Sequence, residues 1–268
     1  MDISQKTIAD FREQWTHYRK NEGVYASLEI LGDILGPLLK VDEIKDKKVA
    51  DIGSGTGRIV MMLLEAGAAH VTAVEPSDAY KVMTENTASR REQITYIHDR
   101  GESLPLENFD LIFSIGVIQH IFDPMPTLCR AYEATREGGK CIIWVYGREG
   151  NQLYLKLFNP VRSLAIHLPH WALQILTYSL YLPLTIYIKL AQRINLPMHE
   201  YMRKVLSQWS RETLLTTIYD QLNPSVAYYY THDEARSLLE RVGFSNVRLY
   251  HRHGYSWTVV GEKVSSSS

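Results

Sequence analysis

The sequence predicts an α/β fold, a mostly parallel sheet with helices on both faces, closed by an antiparallel strand pair and carrying a helical cap insertion. Three observations predict it. Val49-Ala-Asp-Ile-Gly-Ser-Gly-Thr-Gly-Arg-Ile59 is a short apolar strand running into a glycine-rich turn and then an apolar helix, which presents backbone N–H groups to a ligand at the carboxyl end of a strand. Short, nearly all-apolar runs then alternate with helical patterns as far as residue 146, as a sheet covered on both faces demands. Near the end, residues 246–252 and 256–262 alternate as an antiparallel pair around Gly254.

Residues 1–44 read as helical. Ile8, Phe11, Trp15 and Tyr18 recur at helical spacing, a second apolar pattern runs from Leu28 to Leu39, and Gly23 breaks between them. The core over 45–150 is expected to hold strands at 48–52, 70–74, 94–98, 109–115 and 140–146, with helices at 58–66, 79–89 and 126–135.

Residues 151–218 form the insertion. From Ser163 to Ile188 there is no charged side chain, and the stretch 171–190 is long enough to raise the membrane question. Pro183 interrupts it, Gln174, Thr177, Ser179 and Thr185 dilute it, and tyrosines recur throughout. Two cap helices are therefore expected, about 168–181 and 183–193, rather than a span. Such a cap can line a pocket, pack against a second copy in a homodimer, or bury itself on the core. Arg203 and Lys204, with Arg193 and Arg211, read as the wet face of a following helix. In 219–264, a turn-rich connector at 219–224 precedes a helix over 231–242, capped by Thr231 with Glu234 three residues on and ended by Gly243. Residues 265–268 read as a tail.

The chain has 268 residues, with 29 Lys+Arg against 30 Asp+Glu, so no global field recruits nucleic acid or an anionic membrane. Cys129 and Cys141 fit reduced thiols better than a disulfide framework, and Met1-Asp-Ile-Ser-Gln-Lys6 lacks a basic-then-apolar signal pattern; a cytoplasmic location is expected. His251 and His253 sit at a turn without carboxylate or thiol partners in sequence, and no metal is expected.

The glycine turn is G-x-G-x-G, whereas a dinucleotide fingerprint would need glycine where Arg58 stands, which counts against NAD or FAD. The next strand ends in Glu75, where a carboxylate can accept both hydroxyls of a ribose. Asp51-x-Gly53-x-Gly55-x-Gly57, with Glu75 closing the following strand, resembles the cofactor site of class I S-adenosylmethionine-dependent methyltransferases. The likeness continues through Phe109-Asp-Leu-Ile-Phe-Ser-Ile-Gly116, Glu137-Gly-Gly-Lys-Cys-Ile-Ile-Trp144 and Gly243-Phe244, and covers about 45–150 and 225–263.

That resemblance implies a Rossmann-like, seven-stranded sheet with an antiparallel last strand, and S-adenosyl-L-methionine as cofactor. It implies a cofactor site made of Asp51, Gly53, Ser54, Gly55 and Gly57 at the turn, Glu75, Pro76 and Ser77 after the second strand, and Ser114, Ile115 and Gly116 after the fourth. The position where relatives hold the adenine amino group falls on Arg100, a departure from the pattern; Asp99 through a longer loop, or the backbone near Gly101, then takes that role. Trp15, Tyr18 and Tyr25 become candidates for contacting substrate, because an N-terminal helical segment often covers the cofactor mouth in the family.

For transfer to oxygen a hydroxyl must lose its proton, and His120, beside the expected sulfonium, is the candidate base. Glu149 is a second candidate. Tyr146, Arg148 and Asn151, on the loop leaving the fifth strand, are candidates for holding the acceptor. The expected reaction is in-line methyl transfer, most readily to an oxygen of a small molecule such as an aromatic metabolite, quinone or lipid; a sugar or amino-acid acceptor, or a cofactor-binding subunit without chemistry, are the alternatives. No Asn/Asp-Pro-Pro-aromatic signature of amino-methylating nucleic-acid enzymes follows the fourth strand, and with the charge balance this leads to an expected small-molecule partner, no nucleic acid, no transmembrane span and at most a surface contact with a membrane.

Overall fold

The structure is a computed structural model and describes residues 23–165, 168–223 and 226–264. Its centre is a seven-stranded sheet of β1 (Lys48–Ile52), β2 (His70–Val74), β3 (Ile94–Ile97), β4 (Phe109–Ile115), β5 (Thr135–Tyr146), β6 (Ser245–Arg252) and β7 (Ser256–Glu262), in the order β3-β2-β1-β4-β5-β7-β6. The first five run parallel, and β7 lies antiparallel to both β5 and β6. Chain order reverses between β1 and β4, so a crevice opens at the carboxyl ends of those two strands.

Neighbouring residues of one strand feed opposite layers, the period-two geometry of a strand buried on both faces. Val49, Leu111, Ile142 and Val260 pack under α1 (Leu28–Leu35) and α2 (Arg58–Glu65). Ala50, Ile112, Ile143 and Val259 pack with α4 (Met125–Ala134) and α9 (His232–Glu240). The α9 capping box is present, with Thr231 and Glu234 exchanging backbone and side-chain bonds. The helix α3 (Ala79–Asn86) is shorter than its pattern, giving way to 3-10 turns before β3.

The cap is made of α5 (Gln152–Ala165), α6 (His170–Ala191), α7 (His199–Lys204) and α8 (Arg211–Leu222). Two expectations are corrected here. The break at Pro183 does not occur: α6 runs through it as one helix. Proline removes one backbone hydrogen bond, but Leu173, Leu176 and Leu180 pack with Ile218 and Tyr219 of α8 before Pro183, and Leu184 and Ile188 pack with Leu214 after it, which holds both halves in line. The stretch 219–222, read as a connector, is instead the last turn of α8. The cap leaves and rejoins the sheet at one point: Gly147 bridges Tyr230, and Tyr230 N–H donates to the Tyr146 carbonyl at 2.9 Å.

The terminal hairpin is tied to α1 by a buried ion pair. Arg252, only 4% exposed, donates to Asp33 through Nε at 2.9 Å and Nη2 at 2.5 Å, while His253 contacts the second carboxylate oxygen at 2.8 Å. A buried cation whose partner is removed carries an uncompensated desolvation cost. Asp33→Ala is therefore expected to lose on the order of 3 kcal/mol in urea unfolding, and Asp33→Ala combined with Arg252→Met to recover most of it.

Candidate active site

The turn after β1 carries Gly53 at φ +77°, and a Cβ there would meet the Val117 side chain at 2.5 Å. Glycine lets the β1 turn and the loop after β4 approach one another across the crevice. Glu75, at the end of β2, fastens this turn. One carboxylate oxygen accepts from Gly55 N–H at 2.8 Å, and the other from Ser77 N–H at 2.9 Å and its hydroxyl at 2.5 Å. Burial raises the Glu75 carboxyl above its usual range, against the pull of these bonds.

Asp51 is 1% exposed and its Oδ2 has no hydrogen-bond partner. Burial pushes its carboxyl up to about 7, with Ser54 and Arg58 opposing and Glu75 adding to the rise. An orphaned buried acceptor beside a strip of glycine backbone fits a ligand that brings a cation and hydroxyl groups.

These elements floor a cavity of about 1050 Å³ whose other walls come from the cap. Gly53, Ser54, Gly55, Glu75, Pro76, Ser77, Gly101, Ile115, Gly116, His120, Tyr25, Tyr146 and Asn151 all border it. Asp51, Gly57 and Ser114 stand just behind its wall, Ser114 donating to the Ile52 carbonyl at 3.2 Å. Asp99 is not brought to the cavity. It is exposed and accepts from Arg100 N–H and the Ser103 hydroxyl, both at 2.7 Å, capping a short turn, while Gly101 does face the cavity. Trp15 and Tyr18 lie outside the described residues. Tyr25 is held over the glycine turn by Arg58, whose guanidinium lies 4.2 Å from its ring and donates to its carbonyl at 3.1 Å.

His120 is 6% exposed and its Nδ1 lies 2.7 Å from the Val226 carbonyl, which fixes Nδ1 as the proton-bearing nitrogen and gives Nε2 the lone pair. Burial pushes the imidazole below its usual value, while the Asp220 charge and the Val226 bond work the other way. Glu149 is placed elsewhere. It accepts from His232 N–H at 2.9 Å and the Trp257 indole at 3.3 Å; these bonds, against partial burial, hold its carboxyl low and make it a poor proton acceptor. Arg148 is exposed and pairs with Glu234 at 3.3 Å. Asn151 borders the cavity but its amide is committed to the Gly147 and Tyr255 carbonyls, both at 2.7 Å. The turn histidines are engaged too, His251 stacked on Trp257 at 4.0 Å and His253 on Asp33.

Sequence reasoning missed the polar end of α8. Gln221 donates to the Tyr146 hydroxyl at 3.0 Å and accepts from Tyr154 at 3.0 Å and Tyr229 at 3.1 Å; Tyr146 also reaches Asp220 at 3.4 Å. The signal was an Asp-Gln pair beside the apolar helix face Leu215, Ile218, Tyr219 and Leu222, masked by the Asn223-Pro224 that follows. Tyr201, Tyr255 and Arg252 also line the cavity, and Trp209 meets Tyr25 edge-on at 5.4 Å.

Residues 50–143 match the family model described as a methyltransferase domain. Curated relatives include the tRNA U34 carboxymethyltransferase of Alteromonas mediterranea, 27% identical over 165 residues, 56% of this chain and 50% of that one, and its namesake from Helicobacter acinonychis, 32% identical over 154 residues, 53% and 58%. The chain spans about half the length of the curated relatives it matches. Among solved structures, magnesium protoporphyrin IX methyltransferase from Synechocystis aligns with a TM-score of 0.55 at 13% identity, covering 98% of this chain and all of that one. The pyocyanin biosynthetic protein PhzM aligns at 0.53 and 15%, covering 88% of this chain and 55% of that one. At such identities the likeness extends to the fold alone.

The relatives' names overturn the expectation of a small-molecule partner and no nucleic acid, since they are named for a tRNA substrate. Neither ground for that expectation bears weight. A near-zero net charge averages over local patches, and an amino-methylation signature has no bearing on transfer to other positions of a nucleotide.

Asp51 has a pH-dependent cost. Its folded value of about 7 lies above the ordinary 3.8, so its contribution turns unfavourable as pH rises between the two and is fully unfavourable above the higher. Without ligand, Asp51→Asn is expected to melt higher than the parent at about pH 8, by a few kcal/mol of stability, with the gap shrinking as pH falls toward about 5; calorimetry across pH checks it.

Proposed function

We propose that this chain, whose residues 50–143 belong to the methyltransferase domain family, is an S-adenosylmethionine-dependent methyltransferase that methylates an oxygen of a ring-sized acceptor group held beneath the cap. The observation that carries the reading is the position of His120, a buried neutral imidazole with a fixed tautomer on the wall shared by the glycine turn and the cap.

S-adenosylmethionine, when bound, supplies a methyl group already activated by the sulfonium, so the protein's task is alignment and exclusion of water. The turn from Gly53 to Gly57 would admit the methionine portion, the orphaned Asp51 oxygen would offer a counter-charge to its ammonium, and the acceptor site left on the Glu75 oxygen that holds Gly55 would take a ribose hydroxyl. Ser77, Pro76 and Gly101 flank the base. On the acceptor side, Tyr146, Tyr154 and Tyr229 are locked by the Gln221 amide into a rigid aromatic wall, against which a planar group can stack. His120 Nε2 would take the acceptor's hydroxyl proton as the new O–C bond forms and the methyl C–S bond breaks with its electron pair left on sulfur, and the Asp220 charge would favour the imidazolium that results. An acceptor ring of this kind can be carried on a larger molecule that stays outside the cavity, as a nucleotide base on tRNA would be.

The reading is tested by calorimetry with S-adenosylmethionine and by transfer of labelled methyl to total tRNA and to an organic extract of the host, separately. Cofactor binding with label in either fraction supports it and names the acceptor class; absence of S-adenosylmethionine binding overturns it. Because His120 must be neutral to accept a proton and burial depresses its pKa, the acid limb of kcat is expected to fall below the ordinary 6.5. His120→Gln should lose about 10²–10³ in kcat, abolish that limb and leave the cofactor Kd within about twofold. An unchanged pH profile in that variant would remove His120 from the chemistry.

A further inference from the structure

The cap has two apolar faces, and the fold uses one of them. On the inner side α6 packs on α8 through Leu173, Ile218 and Tyr219, and lines the cavity through Leu180, Pro183 and Leu184. On the outer side α5 and α6 present a continuous stripe at helical spacing: Leu157 and Leu164 are 66% and 72% exposed, followed by Trp171, Ile175, Leu182 and Ile186 at 50–66%. Scattered exposed leucines are ordinary; a stripe along two consecutive helices is not.

The charge beside this stripe is of one sign. Between Glu149 and Glu200 there is no Asp or Glu, while the exposed Lys156, Lys189 and Arg193 fall within it, in a chain that carries 29 Lys+Arg against 30 Asp+Glu as a whole. An apolar face carrying a tryptophan, edged only by cations, is the composition that binds an anionic lipid surface. A second copy would bring the same cations against themselves, and an RNA backbone would gain nothing from the leucines. The helix α6 is also long and apolar enough over Trp171–Ala191 to cross a membrane, but its inner side is committed to α8 and the cavity, so it lies in the interface plane rather than spanning.

We infer that the outer face of α5 and α6 docks the protein on an anionic membrane surface. Leu153, Leu157 and Phe122 are exposed and border the cavity at once, so docking by this face sets the cavity mouth at the level of the lipid head groups. The inference does not depend on which group is methylated.

Sedimentation with vesicles of phosphatidylcholine, with and without a quarter phosphatidylglycerol, tests it. The protein is expected to pellet with the anionic vesicles and much less with the neutral ones. The variant Leu164→Gln/Ile175→Gln/Leu182→Gln/Ile186→Gln alters side chains outside the cavity and should lower the partition coefficient roughly tenfold or more. Its S-adenosylmethionine binding and melting temperature, measured alongside, are expected to stay at the parent's level, which separates lost docking from lost fold and from failure of the proposed activity. Lys189→Gln/Arg193→Gln should weaken the anionic preference alone. A parent protein that stays in solution with both vesicles overturns the inference. So does a dimer, seen by analytical ultracentrifugation, that the four-residue variant dissolves, or tRNA binding lost in that variant while vesicle binding persists.

Discussion

The Glu75 carboxylate is the fastening on which the donor half depends. Strands β1 and β2 are ordinary parallel neighbours, but what happens beyond their ends is decided by one buried side chain whose oxygens hold Gly55 on one side and Ser77 on the other. Burying a carboxylate is unfavourable unless its oxygens are satisfied. Three donors, the Gly55 N–H after β1 and the Ser77 N–H and hydroxyl after β2, satisfy it, and in doing so they set the curvature of the glycine turn. Asp51 is the counterpart left unsatisfied. Two carboxyls sit in the same dry region, one fully bonded and one with an orphaned oxygen, and the second makes the cradle receptive to a cation.

The readable parts of this chain were those whose cause is local. Apolar runs of strand length, the glycine turn after the first strand, and the Thr231–Glu234 cap each follow from sterics or hydrogen bonding within a short window, and each stands where its pattern puts it. Distant couplings left no trace. Asp33 and Arg252 meet across 219 positions, and nothing in either neighbourhood announces the other. Glu149 and Arg148 were legible as polar residues on a rim, yet the His232 N–H and the Glu234 side chain of α9 and the Trp257 indole of β7 hold them outside the cavity lining. In the cap, a local signal misled: Pro183 speaks for a break, and tertiary packing along α6 outweighs one missing bond, whereas α8 does end at Asn223 and only the turn before it, 219–222, reads as connector in the sequence.

The two halves of the cavity are built on different principles. The donor half uses backbone and two carboxyls from strand ends, which move little because the sheet fixes them. The cap side uses phenols from the end of β5, from α5 and from the segment before α9, oriented by a single amide: Gln221 supplies one donor and one acceptor to three hydroxyls, so removing it would free three rings at once. Rigid aromatic walls select by shape, and their selectivity rests on that amide.

The bridge between Gly147 and Tyr230 brings the start and the end of the cap to the same place on the sheet. Everything from 148 to 229 is therefore a single loop as far as the core is concerned, and its two stems are already paired. A loop of this kind can be lengthened, shortened or exchanged in the course of descent without breaking a strand or disturbing Gly53, Glu75 or Asp51. His120 sits on the core side of that seam, with its Nδ1 partner Val226 on the other. Lineages sharing this core are then free to diverge in the chemistry of the cap while inheriting one glycine-turn cradle, and relatedness over the first 150 residues says little about what the loop encloses.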